Sequence, residues 1–262
     1  MLEICSATLG YVEKNNKKTV LENISFEINK GEVLCILGAN GAGKTTLFRS
    51  ILGFEHLLAG KMKIDGSDIH GMSRQELAKR IAYVPQQHTP PFPYSVYDVV
   101  LMGRCAHVQG FSVPSENDEK EAMKALECLG LDEMKTEVYT RLSGGERQLV
   151  LIARALAQDA DYILMDEPAA NLDFGNQLKL LKTINALAEA GKGVCFTSHN
   201  PDHAFLIKTR VLALEGKNSW EIGQAEEVIT PKLLSAMYGI KAGITTYTGE
   251  NEAVYKQVSP EI

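Results

Sequence analysis

The stretch Gly38-Ala39-Asn40-Gly41-Ala42-Gly43-Lys44-Thr45 fits the pattern G-x-x-x-x-G-K-[ST]. The continuous apolar run Val33 to Leu37 precedes it and suits a buried strand, and an apolar pattern at helical spacing follows from Leu47. In a strand, loop and helix of this kind the glycines let backbone N–H groups wrap phosphate oxygens. Lys44 adds a positive charge, and Thr45 can ligate Mg²⁺. The sequence therefore predicts a nucleotide-binding α/β fold.

Further short apolar runs predict additional strands of the same sheet. A strand-like segment, Leu21 to Ile28, comes before the glycine loop. The later candidates are Ile81 to Val84, Tyr162 to Met165, Val194 to Thr197 and Val211 to Leu214. Helical patterns lie between several of them, so we expect parallel strands joined by crossover helices.

The chain between about 89 and 158 has a helical character. Helices are expected over Val96 to Gly103, over Glu116 to Leu129, and from Ser143 onward. We interpret this part as a helical subdomain inserted into an α/β core of about 1–88 and 159–225. The tail of about 226–262 predicts one short helix, Pro231 to Tyr238, and is too short for a separate domain.

Composition excludes several classes of protein. The 262 residues carry a net charge of -6 without a basic stripe, which argues against a nucleic-acid partner. The five cysteines are far apart and mostly lie in apolar runs, so we expect buried thiols in a reducing cytoplasm. No apolar run reaches the length of a membrane span, and the N-terminus does not resemble a signal peptide.

The stretch LSGGERQ, Leu142 to Gln148, begins a helix and has the features of an anion site. Ser143 and Glu146 can form a capping box, and an apolar pattern follows at helical spacing. Gly144 and Gly145 place no side chain over the first turn, so its N–H groups stay open. No Lys or Arg stands where the anion would sit. The alternative is an ordinary capped helix with glycines for close packing.

Two polar strand ends are candidates for the chemistry. In Tyr162 to Pro168 the apolar strand ends in Asp166, which can hold the Mg²⁺ shell, and Glu167, which can orient or deprotonate a water. A polar turn after a strand is the alternative. His199 ends another strand and either bonds a γ-phosphate or is structural. The other histidines show no spacing of a metal site: His56, His70, His88, His107 and His203.

The joint set of motifs resembles the nucleotide-binding domain of an ABC ATPase. In chain order the motifs are Gly38 to Thr45 (Walker A), Gln86 in YVPQ, LSGGERQ (the signature), ILMDEP (Walker B), Asn171-Leu172-Asp173 and His199. The resemblance covers nearly the whole chain. It implies a P-loop NTPase core with an N-terminal antiparallel β subdomain and an inserted α-helical subdomain.

The resemblance also implies roles for individual residues. Nucleotide contacts are expected from Tyr11 (stacking on adenine), Gly38, Ala39, Asn40, Gly41, Ala42, Gly43, Lys44, Thr45, Thr46, Ser143, Gly144, Gly145 and Asp173. Catalytic roles are expected for Lys44, Gln86, Glu167 and His199, and Mg²⁺ ligation for Thr45, Gln86 and Asp166. Ala169 and Glu146 replace the Thr or Ser and the Gln that are usual in the family. Neither change removes a catalytic group, so we expect active ATP hydrolysis.

The segment Thr89 to Val108 resembles importers of iron-siderophore complexes, haem, cobalamin and, in a close branch, molybdate or tungstate. Gly103-Arg104-Cys105-Ala106-His107 matches a Gly-Arg-x-Pro-His pattern of that group except at Ala106. The ending Gly223 to Gly239 is also similar to that group. The resemblance implies a peripheral subunit on the cytoplasmic face of the membrane, serving a separate permease and an external substrate-binding protein. The alternative is a soluble ABC ATPase in an assembly or regulatory complex.

Two surfaces are expected to meet other chains. Phe92, Tyr94 and Tyr97, next to stiffening prolines, are either anchors for a permease helix or core residues. The family forms head-to-tail pairs of identical chains. In such a pair the helix that begins at Ser143 would face the γ-phosphate held by Lys44 of the other copy, which accounts for the missing cation.

Overall fold

The computed structural model describes residues 1–13, 16–86, 92–108, 112–249 and 254–261. These residues form two compact units, the first made of Met1–Met72 and Leu181–Ile262, the second of Ser73–Leu180. The chain returns to the first unit within the helix Phe174–Glu189. The sequence-based subdomain boundaries near 89 and 158 remain predictions.

The described ranges contain the following elements in chain order. The strands are β1 Leu2–Glu13, β2 Asn16–Ile28, β3 Val33–Gly38, β4 Ala59–Ile64, β5 Ser67–Asp68, β6 Ile81–Val84, β7 Tyr162–Met165, β8 Gly193–Ser198, β9 Arg210–Gly216, β10 Ser219–Gln224, β11 Ala242–Thr248 and β12 Val254–Pro260. The helices are α1 Lys44–Ile51, α2 Arg74–Arg80, α3 Val96–Leu101, α4 Glu116–Cys128, α5 Gly144–Ala157, α6 Phe174–Glu189, α7 Asp202–Leu206, α8 Ala225–Val228 and α9 Pro231–Tyr238.

Parallel strands form the centre of the first unit. β3 lies between β9 and β8 and runs parallel to both, while β10 pairs with β9 in the antiparallel sense. From its second residue onward β3 is fully buried, as is all of β8, which fits their continuous apolar sequences. The predicted strands Val33 to Leu37 and Val194 to Thr197 are thereby confirmed, each extended by a residue or more.

The same unit contains a separate antiparallel sheet with the strand order β2-β1-β4-β5. In β1 and β2 alternate side chains such as Leu2, Ile4, Ile24 and Phe26 are buried, as expected for strands with one face toward a core. This sheet confirms the expected N-terminal β subdomain. The chain thus has the predicted mixed α/β fold.

The second unit combines one parallel strand pair with helices. β6 and β7 pair from Ile81↔Tyr162 to Val84↔Met165, and both have the predicted bounds. The helix expected over Val96 to Gly103 ends earlier, at Leu101, and continues as a 3₁₀ turn, Met102–Ala106. At Gly103 a Cβ would lie 2.2 Å from the Arg154 carbonyl oxygen, so this turn packs directly against the backbone of α5.

The C-terminal tail contains more structure than the sequence predicted. Helix α9 has the expected bounds, but β11 and β12 follow it as an antiparallel pair, with the Tyr247 and Tyr255 rings stacked at a centroid distance of 5.4 Å. Of both strands only Ala242 is buried, and the other side chains are half-buried or exposed, so the strands lack the apolar alternation that identifies a strand in a sequence.

The expectation of buried thiols holds for only two cysteines. Cys35 and Cys195 lie in the buried strands β3 and β8, and burial raises the pKa of each thiol well above its usual range. Cys5, Cys105 and Cys128 are exposed, because an apolar neighbourhood in the sequence does not fix which face a side chain occupies. Among the described residues, every helix is too short or too polar to span a lipid bilayer.

Candidate active site

The glycine loop after β3 wraps around the ammonium group of Lys44. Gly41 and Gly43 have φ angles of +84° and +97°, which favour glycine, and a Cβ at Gly43 would lie 2.9 Å from Val20 Cγ1. Lys44 is buried, and its Nζ donates to the carbonyl oxygens of Gly38 at 2.6 Å and Ala39 at 3.4 Å. Left-handed glycines beside a buried lysine are features of loops that bind phosphate, and phosphate binding here remains a prediction.

Tyr11 lies beside the first turn of α1. Its hydroxyl oxygen is 2.8 Å from Oγ1 of Thr46, which is buried, whereas the neighbouring Thr45 is exposed. The hydrogen bond holds a half-exposed aromatic ring next to the glycine loop. Stacking of this ring on adenine remains a prediction.

His199 directly follows β8 at the edge of the sheet that carries the glycine loop. Leu37 of β3 pairs with Ser198 of β8, so the next residues, Gly38 at the end of β3 and His199 just after β8, lie at the same level. His199 is exposed. Since the carboxyl ends of parallel strands share one edge, the first unit brings the predicted histidine and the glycine loop to the same side.

The second unit places Asp166, Glu167 and Gln86 at the ends of its parallel strands. Asp166 is only 4 % exposed, and its N–H donates 2.8 Å to the carbonyl oxygen of Val84. Glu167 has a φ of +45°, and its Oε2 accepts a 2.7 Å hydrogen bond from Gln86 Nε2. A left-handed non-glycine residue costs about 1–3 kcal/mol and is concentrated at functional sites. Five other described non-glycine residues share this conformation, so it is the bond from Gln86 together with the position after β7 that distinguishes Glu167.

The signature forms the predicted capping box at the start of α5. The Ser143 hydroxyl accepts from the Glu146 N–H at 3.3 Å, and the Glu146 carboxylate accepts from the Ser143 N–H at 2.8 Å. The bonds from Ser143, its hydroxyl first, lower the pKa of Glu146. A Cβ at Gly144 would lie 3.9 Å from Asn171 Cβ, an ordinary contact, so packing within the described chain does not require this glycine.

Gly145 and Asp173 have clearer structural roles. A Cβ at Gly145 would lie 3.3 Å from Leu172 Cδ2, which is a tight contact. The Asp173 carboxylate accepts from the backbone N–H and from Nδ2 of Asn176 at 2.9 and 2.7 Å, and thereby caps α6. These bonds, the backbone one first, lower the pKa of Asp173. A nucleotide contact of Asp173 remains a prediction.

The Gly-Arg-x-x-His segment holds the carboxyl end of α5, a role that sequence reasoning missed. The buried Arg104 guanidinium donates to Asp118 Oδ1 at 2.9 Å and to the carbonyl oxygen of Ala157 at 2.8 Å. Nε2 of His107 lies 2.8 Å from the carbonyl oxygen of Gln158. A cation at this end of a helix is favourable because the last carbonyl groups are unpaired within the helix. The sequence pattern could have suggested a structural role for Arg104 and His107, but not that their partners lie on α4 and at the end of α5.

The residues expected to hold Mg²⁺ fit a hard cation. Thr45, Gln86 and Asp166 all offer oxygen atoms, which Mg²⁺ prefers together with phosphate and water. Within the part of the chain that the structure describes, no group of three or more His, Cys, Asp or Glu residues could hold a resident metal ion. His88, also named among the histidines without metal spacing, lies outside the described residues.

Comparison with known proteins gives close matches over most of the chain. The iron(3+)-hydroxamate import ATP-binding protein FhuC of Bacillus subtilis is 33% identical, over 94% of this chain and 90% of that protein. The molybdate import ATP-binding protein MolC of Haemophilus influenzae is 36% identical, over 91% of this chain and 87% of that protein.

A solved structure extends the match to the full length. It describes an inward-facing conformation of a metal-chelate type ABC transporter, and the alignment covers 100% of this chain and 97% of that one with a TM-score of 0.87 and 33% identity. The family profile of the ABC transporters matches residues 21–170, from β2 to the start of the loop that holds Asn171. On these matches and the geometry above, the chain belongs to the ABC transporter family and is one of its ATPases.

Proposed function

We propose that this ATPase powers the import of a metal chelate through a separate permease. The observation that carries the proposal is the full-length likeness to a metal-chelate type transporter. The segment Gly103 to His107, which resembles the same group of importers, also supports the proposal, because Arg104 and His107 bond the carbonyl groups at the end of α5. Relatives named for import or transport do not favour the alternative of a soluble assembly or regulatory ATPase.

ATP binding begins at the glycine loop. Lys44 and the backbone N–H groups of Gly38 to Thr45 bind the phosphates, and the Lys44 ammonium group exchanges the carbonyl oxygens of Gly38 and Ala39 for phosphate oxygens. Thr45, Gln86 and Asp166 would hold Mg²⁺, which neutralises charge on the phosphates when it is bound. Tyr11 stacks on the adenine, held in place by its bond to Thr46.

Hydrolysis uses the carboxylate of Glu167 as the base. The carboxylate orients the attacking water and accepts its proton as the oxygen approaches the γ-phosphate. The left-handed backbone of Glu167 aims the side chain, and the bond from Gln86 restricts its rotation. His199 donates a hydrogen bond to the γ-phosphate and stabilises the charge that develops there.

A second copy of the chain completes the nucleotide site. ABC transporter cassettes form dimers. Ser143 and Gly144 are exposed at the start of α5, and nothing within the described chain requires a glycine at 144. Phe174 stands three positions after Asn171, which lies beside Gly144, and its ring is 74% exposed and supplies an apolar surface. We infer that the open N–H groups of α5 bind the γ-phosphate held by the partner.

The permease docks on the second unit next to Phe92. This ring is 59% exposed and packs edge-to-face on Tyr94 at a centroid distance of 5.9 Å. The half-buried Tyr97 lines a cleft of about 920 Å³ with Met123 and with charged residues of both signs on α4. A cleft that combines Tyr97 and Met123 with charged side chains suits a short amphipathic helix from a permease loop. Tyr94 and Tyr97 therefore serve as part core and part anchor.

Docking is tested by the variant Phe92→Ala, assembled with the permease in proteoliposomes. We expect weaker assembly and slower transport, with ATP binding to the isolated chain unchanged. Phe54→Ala is the control, because Phe54 is 58% exposed and lies in the first unit. Parent-level assembly and transport by Phe92→Ala would exclude this ring as an anchor.

The import function is tested with the complete transporter and a loaded external binding protein. Ferric siderophore, haem, cobalamin and molybdate are offered in turn, and ATP-dependent uptake into the vesicles is measured. We expect uptake of one of these classes, and none when the chain carries Glu167→Gln. If none of these substrates is taken up while ATP hydrolysis is intact, the metal-chelate proposal is contradicted. The alternative of a soluble assembly or regulatory ATPase is then favoured.

A further inference from the structure

The loop after β8 that carries His199 is held from inside by Ser198. The Ser198 hydroxyl donates to the Asn200 carbonyl oxygen at 3.1 Å and accepts from the Asn200 N–H at 3.0 Å. Asn200 Oδ1 in turn accepts from the Asp202 N–H at 3.0 Å. The residues on both sides of His199 are therefore tied to each other, which limits the backbone positions open to the histidine.

His203 supplies the third contact of the Ser198 hydroxyl. Its Nδ1 lies 3.0 Å from the hydroxyl oxygen, and its buried Nε2 has no hydrogen-bond partner among the described residues. Because the hydroxyl proton points to Asn200, all three contacts are satisfied when Nδ1 of His203 carries the proton. This tautomer leaves a lone pair, not an N–H, at the buried Nε2.

The C-terminal tail reaches the same loop at two points. The Tyr238 hydroxyl, on the last residue of α9, donates to the carbonyl oxygen of His199 at 3.1 Å. The N–H of Val258 in β12 donates to Asp202 Oδ1 at 2.8 Å. These residues are separated in sequence by 39 and 56 positions, so the tail folds back onto the loop specifically.

The tail is itself anchored to the sheet. The α9 side chains Leu233, Leu234 and Met237 are buried, and α9 packs against β9 and β11. Gly239 ends the helix with a φ of +68°, which turns the chain directly after Tyr238. Since β9 pairs with β3, the hydroxyl that holds His199 rests on the strands that carry the glycine loop.

We propose that Tyr238 and Asp202 are positioning residues for His199, so that the C-terminal tail sets where the histidine meets the γ-phosphate. The inference rests on the catalytic role proposed for His199. Tyr238 fixes the carbonyl group of the histidine itself, and Val258 of β12 fixes Asp202, three positions after the histidine. A displacement of β12 or α9 would move the imidazole away from the phosphate without altering the glycine loop.

The experiment measures kcat for ATP and the Kd of a nucleotide analogue for the full-length chain. Tyr238→Phe removes one hydroxyl, and Asp202→Ala removes the acceptor for Val258. We expect each to lower kcat about three- to tenfold with the Kd and the Tm unchanged, as for an interaction made in the transition state. Asp202→Asn keeps the acceptor oxygen and should restore kcat to near the parent value.

A double-mutant cycle with His199→Ala separates the inference from the proposed function. If Tyr238 acts through His199, Tyr238→Phe causes no further loss of kcat in the His199→Ala background. The positioning role would be overturned, while the role of His199 stands, by any of three results. Tyr238→Phe could keep the parent kcat, it could lose the same factor of kcat in both backgrounds, or its loss of kcat could be accompanied by a fall in Tm. A parent-level kcat for His199→Ala alone would overturn both.

Discussion

Gln86 Nε2 donates a 2.7 Å hydrogen bond to Oε2 of Glu167, whose backbone has a φ of +45°. The same carboxylate is the one that we assign to the attacking water. Gln86 stands six positions before Phe92, the proposed permease anchor. The bond therefore joins the proposed base to a residue close in sequence to the proposed permease anchor, and a shift of Gln86 would change how freely Glu167 can bind a water.

Glu167→Gln should bind ATP, hydrolyse it poorly and accumulate as a dimer. The amide keeps the size of the side chain but cannot accept a proton, so we expect turnover to fall at least about 100-fold. Phosphate release and size-exclusion chromatography with ATP measure the two effects. Glu133→Gln changes an exposed carboxylate of the same unit and serves as the control. Hydrolysis by Glu167→Gln at the parent rate would exclude Glu167 as the base.

Gly144→Leu should preserve ATP binding to the monomer and abolish ATP-driven dimerisation. A Cβ at this position meets only an ordinary 3.9 Å contact with Asn171, so the monomer does not require glycine here. The added side chain would instead cover the open N–H groups of α5 that the partner's phosphate needs. Light scattering in the Glu167→Gln background gives the dimer fraction.

The matched control for this variant is Gly71→Leu, because a Cβ at Gly71 meets nothing within 4 Å and its φ is not in the left-handed region. It should dimerise like the parent. If Gly144→Leu lost nucleotide binding together with dimerisation, Gly144 would have a structural role in the monomer and the signature would be an ordinary helix start.

Local patterns predicted the elements whose determinants lie close together in the sequence. The glycine loop, the Ser143 capping box and the bounds of Ile81–Val84 and Pro231–Tyr238 depend on neighbouring residues, and the structure confirms them. The fold class followed from strands that alternate with helices around one such loop.

The features that sequence reasoning missed depend on residues far apart in the chain. Arg104 meets Ala157, and Tyr238 meets His199, through contacts that no local pattern encodes. The left-handed backbone of Glu167 was also not foreseen, because a Glu gives no local signal for that conformation. Such contacts surround the candidate site, where tertiary structure overrides local preference.

Asp118→Ala should destabilise the protein strongly because it leaves the buried Arg104 without its carboxylate. Removing one partner of a buried ion pair costs about 3–5 kcal/mol, and the cap that Asp118 makes with Ser115 is lost as well. The double variant Arg104→Met/Asp118→Leu should lose less, since no uncompensated charge remains. Urea unfolding at neutral pH gives the free energies.

The control for the buried pair is Asp132→Ala, an exposed carboxylate of the same unit. The Ser115 hydroxyl, the Ser115 N–H and Arg104 lower the pKa of Asp118 to about 2. Its contribution to stability is therefore complete above the unfolded-state pKa near 4 and is lost as the pH falls toward 2. An Asp118→Ala variant as stable as Asp132→Ala would contradict the importance of the pair.

His203→Asn should lose less stability than the parent as the pH falls from 6.5 to 4. Burial, and secondarily the nearby His199, lower the pKa of His203 from 6.5 to about 4. In this window the unfolded chain binds a proton at His203 that the folded chain does not bind. Stability therefore rises with pH from about 4 to 6.5 and falls on acidification, by up to about 3 kcal/mol from this residue.

An Asn amide can still donate to Ser198 but does not titrate, so the free energy of unfolding of His203→Asn should change less over the same range. Urea unfolding at steps of pH tests this, with His56→Asn as the control. Parallel pH curves for the parent and His203→Asn would show that a neutral, buried His203 does not control the acid sensitivity of the protein.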